Sequence, residues 1–224
     1  MKEFLEIFLL IIGITTLLTF LALPICIIVE YRKKHASIEY QRQKALKLGR
    51  EGETRVIEIL GQNEPLRSYY VINDYFFKTP NGYCQIDHII VNPYGVFVLE
   101  TKNYSGRIVG NEADHLWKQY LNHGKTVNRI YNPIKQNNTH IENLRDLLPP
   151  NTPIAGRVVF VQNNAGIDSP FVINLSELQA WLHKFTQAYM TTEQIENVAQ
   201  ILHENYCDDE KARVRHIKRI NMLL

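Results

Sequence analysis

Residues 85–103 carry the side-chain types that could hydrolyse a phosphodiester: Gln85-Ile-Asp87-His-Ile-Ile-Val, then Asn92-Pro93-Tyr94-Gly95, then Val-Phe-Val-Leu-Glu100-Thr-Lys102-Asn. Pro93 suits the second position of a tight turn and Gly95 its last, and the flanking Val, Ile and Phe favour strands. A turn that sets Asn92 opposite Gly95 also sets Asp87 opposite Glu100. Side chains alternate along a strand, so Lys102 shares the Glu100 face, and the two carboxylates stand roughly 5 Å apart at Cβ. Such a pair repels. A divalent cation between them turns the repulsion into binding energy, because Mg²⁺ takes one or two carboxylates together with water and phosphate oxygens. Lys102 would then orient the attacking water and offset charge growing on phosphate, with the Thr101 carbonyl as a further candidate ligand. The alternative is a cross-strand ion pair between Asp87 and Lys102 without catalysis.

Two flanking helices must bring partners to this hairpin. From Gly49 a helix runs to about Leu60 with Gly61 as its C-cap. At about 100° per residue, Glu53 falls within about a quarter turn of Val56, Ile57 and Leu60, whereas Glu51 and Glu58 fall on the far side. An ionised carboxylate on an apolar face is costly unless paired or metal-bound, so Glu53 is a third candidate acid, with a salt bridge to Lys102 as the structural alternative. A second helix is expected over residues 133–148, with Pro133 at its first position and Pro149-Pro150 as its stop. Gln136 lies in its first turn, where it could hydrogen-bond the attacking water or a phosphate. His88 points to the face opposite Asp87, with Ile86 and Ile90, and reads as a core or edge histidine. His115, His123 and His140 lack metal-ligand spacing, and Lys135 and Arg107 are single basic residues near a possible phosphate path.

Further strands are expected over residues 69–72, 83–91, 96–101 and 157–161, and residues 171–173 suggest another. Pro80-Asn81-Gly82 marks a turn, and the region carrying Trp117 reads as loop. Helices are expected over residues 176–185, 192–206 and 208–224. The last carries Lys211, Arg213, Arg215, Lys218 and Arg219, read as a solvated face near an anionic membrane rather than a nucleic-acid surface. With 224 residues, 45% hydrophobic and 21% charged, the composition is globular, and a net charge of +2 makes no case by itself for nucleic acid. Cys26, Cys84 and Cys207 have no CxxC or Cys/His spacing, which argues against a zinc site or a disulfide framework. Residues 7–29 contain no charge, long enough for a helix to cross a hydrocarbon core of about 30 Å. Basic residues crowd behind that run, from Arg32 to Arg50, so the positive-inside rule puts the amino terminus outside and the rest in the cytoplasm.

Gly52-Glu53, Gln85-Ile-Asp87-His, Val98-Leu-Glu100-Thr-Lys102-Asn, Tyr104, Gly106, Trp117 and Asn132-Pro-Ile-Lys-Gln136 together resemble the NERD, or nuclease-related, domain, a family similar to the PD-(D/E)xK nucleases. The resemblance implies an α/β core with a central mixed sheet flanked by helices. It also implies that Glu53, Asp87 and Glu100 bind Mg²⁺ or Mn²⁺, that Lys102 is catalytic and that Gln136 supports the site. Ile86 stands where the superfamily's name has Pro. On this reading residues 5–29 are a transmembrane helix, 30–48 a basic juxtamembrane linker, 49–165 the nuclease-like domain and 166–224 a C-terminal helical extension. The function expected is that of a membrane-anchored, cytoplasmic, metal-dependent nuclease, with DNA ahead of RNA as substrate. The rival is a nuclease-like module that binds or scaffolds nucleic acid at the membrane without turnover.

Overall fold

A computed structural model describes residues 1–61, 70–162, 164 and 166–223, the side chains of residues 3, 5, 6, 11, 12, 14–19, 21, 22, 24 and 219–223 excepted. Two compact units are present, Met1–Leu48 and Gly49–Leu224. The first is helical from Lys2 onward, as part of α1 (Lys2–Gly61). Among the described residues no helix is long and apolar enough to cross a membrane. The span expected over residues 5–29 falls largely on side chains outside the described ones.

The second unit is built on a five-stranded mixed sheet. Runs rich in Val, Ile, Phe and Tyr form β1 (Tyr70–Thr79), β2 (Gly82–Asn92) and β3 (Gly95–Lys102), which pair antiparallel in chain order. The first strand was expected over residues 69–72; Tyr69 lies outside the described residues, and the strand continues to Thr79. The turn after β2 pairs Asn92 with Gly95, and the Asn92 side chain accepts the Tyr94 N–H at 2.9 Å. Gly95 has a φ of 139° and its Cα faces the Pro153 carbonyl so closely that a Cβ would stand 2.9 Å from it. Beyond β3 the sheet turns parallel: β7 (Ile154–Phe160) pairs with β3, and β8 (Val172–Asn174) with β7.

Helices cover both faces. On one, α2 (Pro133–Leu147) and α4 (Thr192–Asn205) bury Leu144, Ile195, Val198 and Leu202 against Ile89, Val91, Val96 and Val98. On the other, Val56 and Leu60 of α1 and Leu178, Trp181 and Leu182 around α3 (Leu178–Leu182) pack on Ile90, Phe97 and Leu99. Each such aliphatic side chain contributes about 1.5–3 kcal/mol on full burial, which is why a sheet with two apolar faces needs both helical layers.

The strands do not alternate as simply as expected. Ile72 packs on the same side as Tyr75 and Phe77, and Ile86 on the same side as Ile89 and Val91. Alternation would separate each of these sets. The reset occurs at Asp74, whose φ is 53°, and at the facing Asp87; the ladder pairs Asn73 with His88 and Tyr75 with Ile86 but leaves out the position between. Ile86 therefore does not share the face of Ile90, as strict alternation had suggested.

The region around Trp117 is not a loop. It forms a second, antiparallel sheet of β4 (Arg107–Val109), β5 (Leu116–Leu121) and β6 (Thr126–Tyr131). A tight turn with positive φ at Asn122, His123 and Gly124 joins the last two. Trp117, fully buried, packs with Ile108, Ile134, Val158 and Phe160. Other departures are smaller. The helix expected over residues 176–185 is a 3-10 turn, Leu175–Glu177, followed by the short α3. Residues 166–224 are not purely helical, since β8 joins the main sheet. The final helix is α5 (Glu210–Leu223), and Leu224 lies outside the described residues.

Gly156 on β7 lets α2 lie close: a Cβ there would stand 2.6 Å from Ile141 Cδ1 and 3.0 Å from the Val98 carbonyl. Gly156→Val should therefore lower stability by about 1–3 kcal/mol through overpacking. Denaturant unfolding of the two proteins checks this, and equal midpoints would contradict the close packing.

Candidate active site

The antiparallel register of β2 and β3 leads to the site. Its last ladder pair is His88 with Leu99, so Asp87 and Glu100 come next and face one another. Here the strands part, and the Thr101 N–H is taken by the Asp87 carboxylate, at 2.7 Å to Oδ2. Glu100 is 2% exposed. Its Oε1 accepts from Lys102 Nζ at 2.5 Å, and its Oε2 lies 3.1 Å from His140 Nε2. Oε2 makes no well-aligned hydrogen bond, so the His140 contact is an ion pair rather than a directed bond. Lys102 Nζ also donates to Gln136 Oε1 at 3.1 Å.

Gln136 is placed by the start of α2. Asn132 caps the helix by accepting the Ile134 N–H at 2.9 Å, and Pro133 follows at the first helical position. The Asn132 amide donates in turn to the carbonyls of Asn111, Glu112 and Asp114, tying the loop before β5 to the helix. Gln136 thus reaches Lys102 instead of standing free at the helix end.

Glu53 is half-buried on α1, between buried Gly52 and Val56, while Glu51 and Glu58 are exposed, as helix phase predicts. Ile57 is the exception to that phase, 39% exposed. Gly52 lets the helix pass the end of β3, where a Cβ would stand 2.8 Å from Asn103 Cβ. The salt bridge to Lys102 that was the structural alternative for Glu53 does not form, because Lys102 is held by Glu100 and Gln136. Glu53 nevertheless shares the field of the cluster. Burial, then the charges of Asp74 and Glu100, raise its pKa, against Arg50 and Lys102.

The three acids are in different electrostatic states. Burial, then the Glu100 charge, pushes Asp87 up to about 8. Burial opposes the charge on Glu100 too, but Lys102 and then His140 overcome it and hold Glu100 at about 2. Burial likewise opposes the charge on His140, whose contacts with the Cys84 thiol and Glu100 raise it to about 10. Lys102 is raised as well, chiefly by Glu100 against the cost of burial.

His140 was missed by spacing rules for metal ligands. It stands one helical turn after Gln136, and residues four apart share a helix face, so the signal was present. Its other nitrogen, Nδ1, lies 3.2 Å from the buried Cys84 Sγ. Asp74 was also missed; its Oδ1 accepts from Gln85 and from Arg213, each at 2.7 Å. His88 is buried between Asn73 Oδ1 and Thr101 Oγ1, and burial lowers it to about 4, so it is a neutral core histidine. His115 packs on Tyr131, His123 sits in the β5–β6 turn, and Lys135 donates to the Ala113 carbonyl.

By donor chemistry, Asp87, Glu100 and Glu53 suit a hard cation: beyond burial, the Glu100 charge raises both Asp87 and Glu53, and Glu100 Oε2 is buried without a hydrogen bond. Among the described residues, however, no three His, Cys, Asp or Glu side chains stand together so as to hold a metal ion. Glu100 is instead drawn to Lys102 and His140.

The raised Asp87 gives a signed pH effect. Its pKa is about 8 in the fold against an ordinary 3.8, so the folded chain keeps a proton that the unfolded chain releases. That contribution is full below about pH 3.8 and is lost as pH rises through about 8. His140 acts in the same sense, full below about 6.5 and lost through about 10. Buried His88 acts in the opposite sense up to about pH 6.5, so the thermal midpoint should fall between about pH 6.5 and 9, and Asp87→Asn should flatten the part of that fall below about pH 8. Identical pH profiles for the two proteins would contradict the assignment.

A family model for the nuclease-related domain matches residues 48–161. An uncharacterised protein of Bacillus anthracis is 28% identical over 180 residues, which cover 77% of this chain and 84% of that relative. No solved structure matches the chain. The matched stretch holds Glu53, Asp87, Glu100, Lys102 and Gln136, and it covers half of the sequence. The chain belongs to the nuclease-related domain family.

Proposed function

We propose that the protein is a metal-dependent nuclease that hydrolyses DNA phosphodiester bonds at the cytoplasmic face of a membrane, to which residues 5–29 anchor it. One observation carries the reading: Lys102 Nζ is held between Glu100 and Gln136, on the strand that faces Asp87. A fixed ammonium beside facing carboxylates suits a reaction in which negative charge grows on a phosphoryl group.

Glu53, Asp87 and Glu100 would hold Mg²⁺ or Mn²⁺, which supplies Lewis-acid polarisation of the phosphoryl oxygen when bound. Lys102 offsets the charge that develops on phosphate. Gln136 fixes the Lys102 ammonium and offers its amide N–H groups to a water or phosphate oxygen. His140 holds Glu100 from the helix side and keeps that carboxylate ionised. The anchor is supported by the uncharged run over residues 7–29 and by the basic residues behind it.

The pairing of Glu100 with both Lys102 and His140 favours a second reading, a nuclease-like module that binds or scaffolds nucleic acid at the membrane without cutting it. A cleavage assay separates the two. The full-length protein with Mg²⁺ or Mn²⁺ should cut DNA, EDTA should abolish cleavage, and Glu100→Gln and Lys102→Met should each lose at least about 100-fold in rate. DNA binding that persists in EDTA, with no cleavage under any metal, would support the second reading. Undiminished cleavage by both variants would remove the site assignment.

A further inference from the structure

The sheet of β4, β5 and β6 has two unlike faces, fixed by its register. Ile108, Trp117, Gln119 and Ile130 point to the protein interior. The opposite face carries Arg107 paired with Tyr120 and Lys118 paired with Arg129, alongside Val109, Val127 and Tyr131. Arg107, Lys118 and Arg129 are exposed, and this face carries no acid. Glu112 and Asp114, in the loop between β4 and β5, are engaged with Ser169 Oγ and the Asn111 N–H.

None of the three cations makes an ion pair among the described residues. Lys118 and Arg129 stand directly opposite each other, an arrangement that costs stability unless an anion lies between them. The Arg107 guanidinium sits 4.8 Å from the centre of the Tyr120 ring. At the same end of the sheet a groove of about 610 Å³ is lined by Arg107, Tyr120, Asn122 and His123, together with Ser105 and Gly106 of the loop that leaves β3.

Connectivity ties this surface to the site. The sheet is inserted between Lys102 and Gln136, which bond to each other, so the chain leaves the catalytic cluster into β4 and returns to it from β6. We infer that the solvent face of β4–β6 is the surface that delivers a single DNA strand to the site. Arg107, Lys118 and Arg129 pair with its phosphates, and Tyr120 offers a base its ring. Phosphate pairing gives affinity without sequence preference, and an aromatic ring accepts any base. This inference rests on the nuclease reading, and the test keeps the two apart.

Full-length protein in nonionic detergent and EDTA is titrated into fluorescein-labelled single-stranded DNA of about 20 nucleotides over a range of salt concentrations, with anisotropy as readout. The variant Arg107→Ala/Lys118→Glu/Arg129→Glu should bind at least about tenfold more weakly, with the slope of log K against log salt reduced by about 2, near 0.7 for each phosphate that is no longer neutralised. The charge-preserving variant Arg107→Lys/Lys118→Arg/Arg129→Lys should keep the wild-type salt slope. Wild-type affinity and slope in the charge-reversed protein would overturn the inference, as would a wild type that binds RNA of the same sequence but not DNA. The same preparations are assayed with Mg²⁺. Cleavage by wild type with unaltered binding by the charge-reversed variant sinks the surface and leaves the nuclease reading. Binding through this face with no cleavage by wild type does the reverse.

Discussion

An ionised carboxylate that is almost wholly out of water has to be matched by positive charge, and Glu100 is matched twice, by Lys102 from its own strand and by His140 from α2. Removing one partner of a buried ion pair costs about 3–5 kcal/mol, far more than an exposed pair contributes, so this cluster constrains what surrounds it. The strand must end where Lys102 can fold back on Glu100. Helix α2 must begin where Gln136 and His140, one turn apart, both face β3. Helix α1 must pass closely enough for Glu53 to feel the same field, which is the reason for Gly52 at the contact with Asn103.

Positive charge is sufficient for Glu100 but not for the whole set of acids. Burial and then the field of Glu100 raise the pKa of Asp87, although it receives the Thr101 N–H. Glu53 has no ion-pair partner of its own among the described residues, and Asp74 adds to its burden although Arg213 binds that residue. Of these four acids, Glu100 and Asp74 have ion-pair partners among the described residues, and Asp87 and Glu53 have none. The left-handed backbone at Asp74 belongs to the same arrangement, since the reset of alternation there allows Asp87 to face Glu100 while Ile86 and Ile89 both enter the core.

The parts of this site readable in the sequence were those governed by local periodicity. The Asn92 to Gly95 turn set the register of β2 and β3, and helix phase separated Glu53 from Glu51 and Glu58. The start of α2 followed from Pro133. What escaped depended on contacts between distant segments. His140 needs the packing of α2 on β3 before it meets Glu100, and the sheet of β4–β6 is built from short, half-polar strands whose signal is weak until Trp117 has a core to enter. Strict alternation failed at Asp74 and Asp87 because a residue with positive φ resets the phase of a strand, which side-chain pattern alone does not announce.

The central claim is that Asp87, Glu100 and Glu53 form one cation site at the end of the β2–β3 hairpin. Anomalous diffraction from crystals of the protein soaked in Mn²⁺ tests it most directly. The account predicts a single strong peak within coordination distance of Asp87 and Glu100 and near Glu53, with Glu100 released from at least one of Lys102 and His140. Density for Mn²⁺ only elsewhere, with Glu100 still held by both cations at saturating metal, would contradict it.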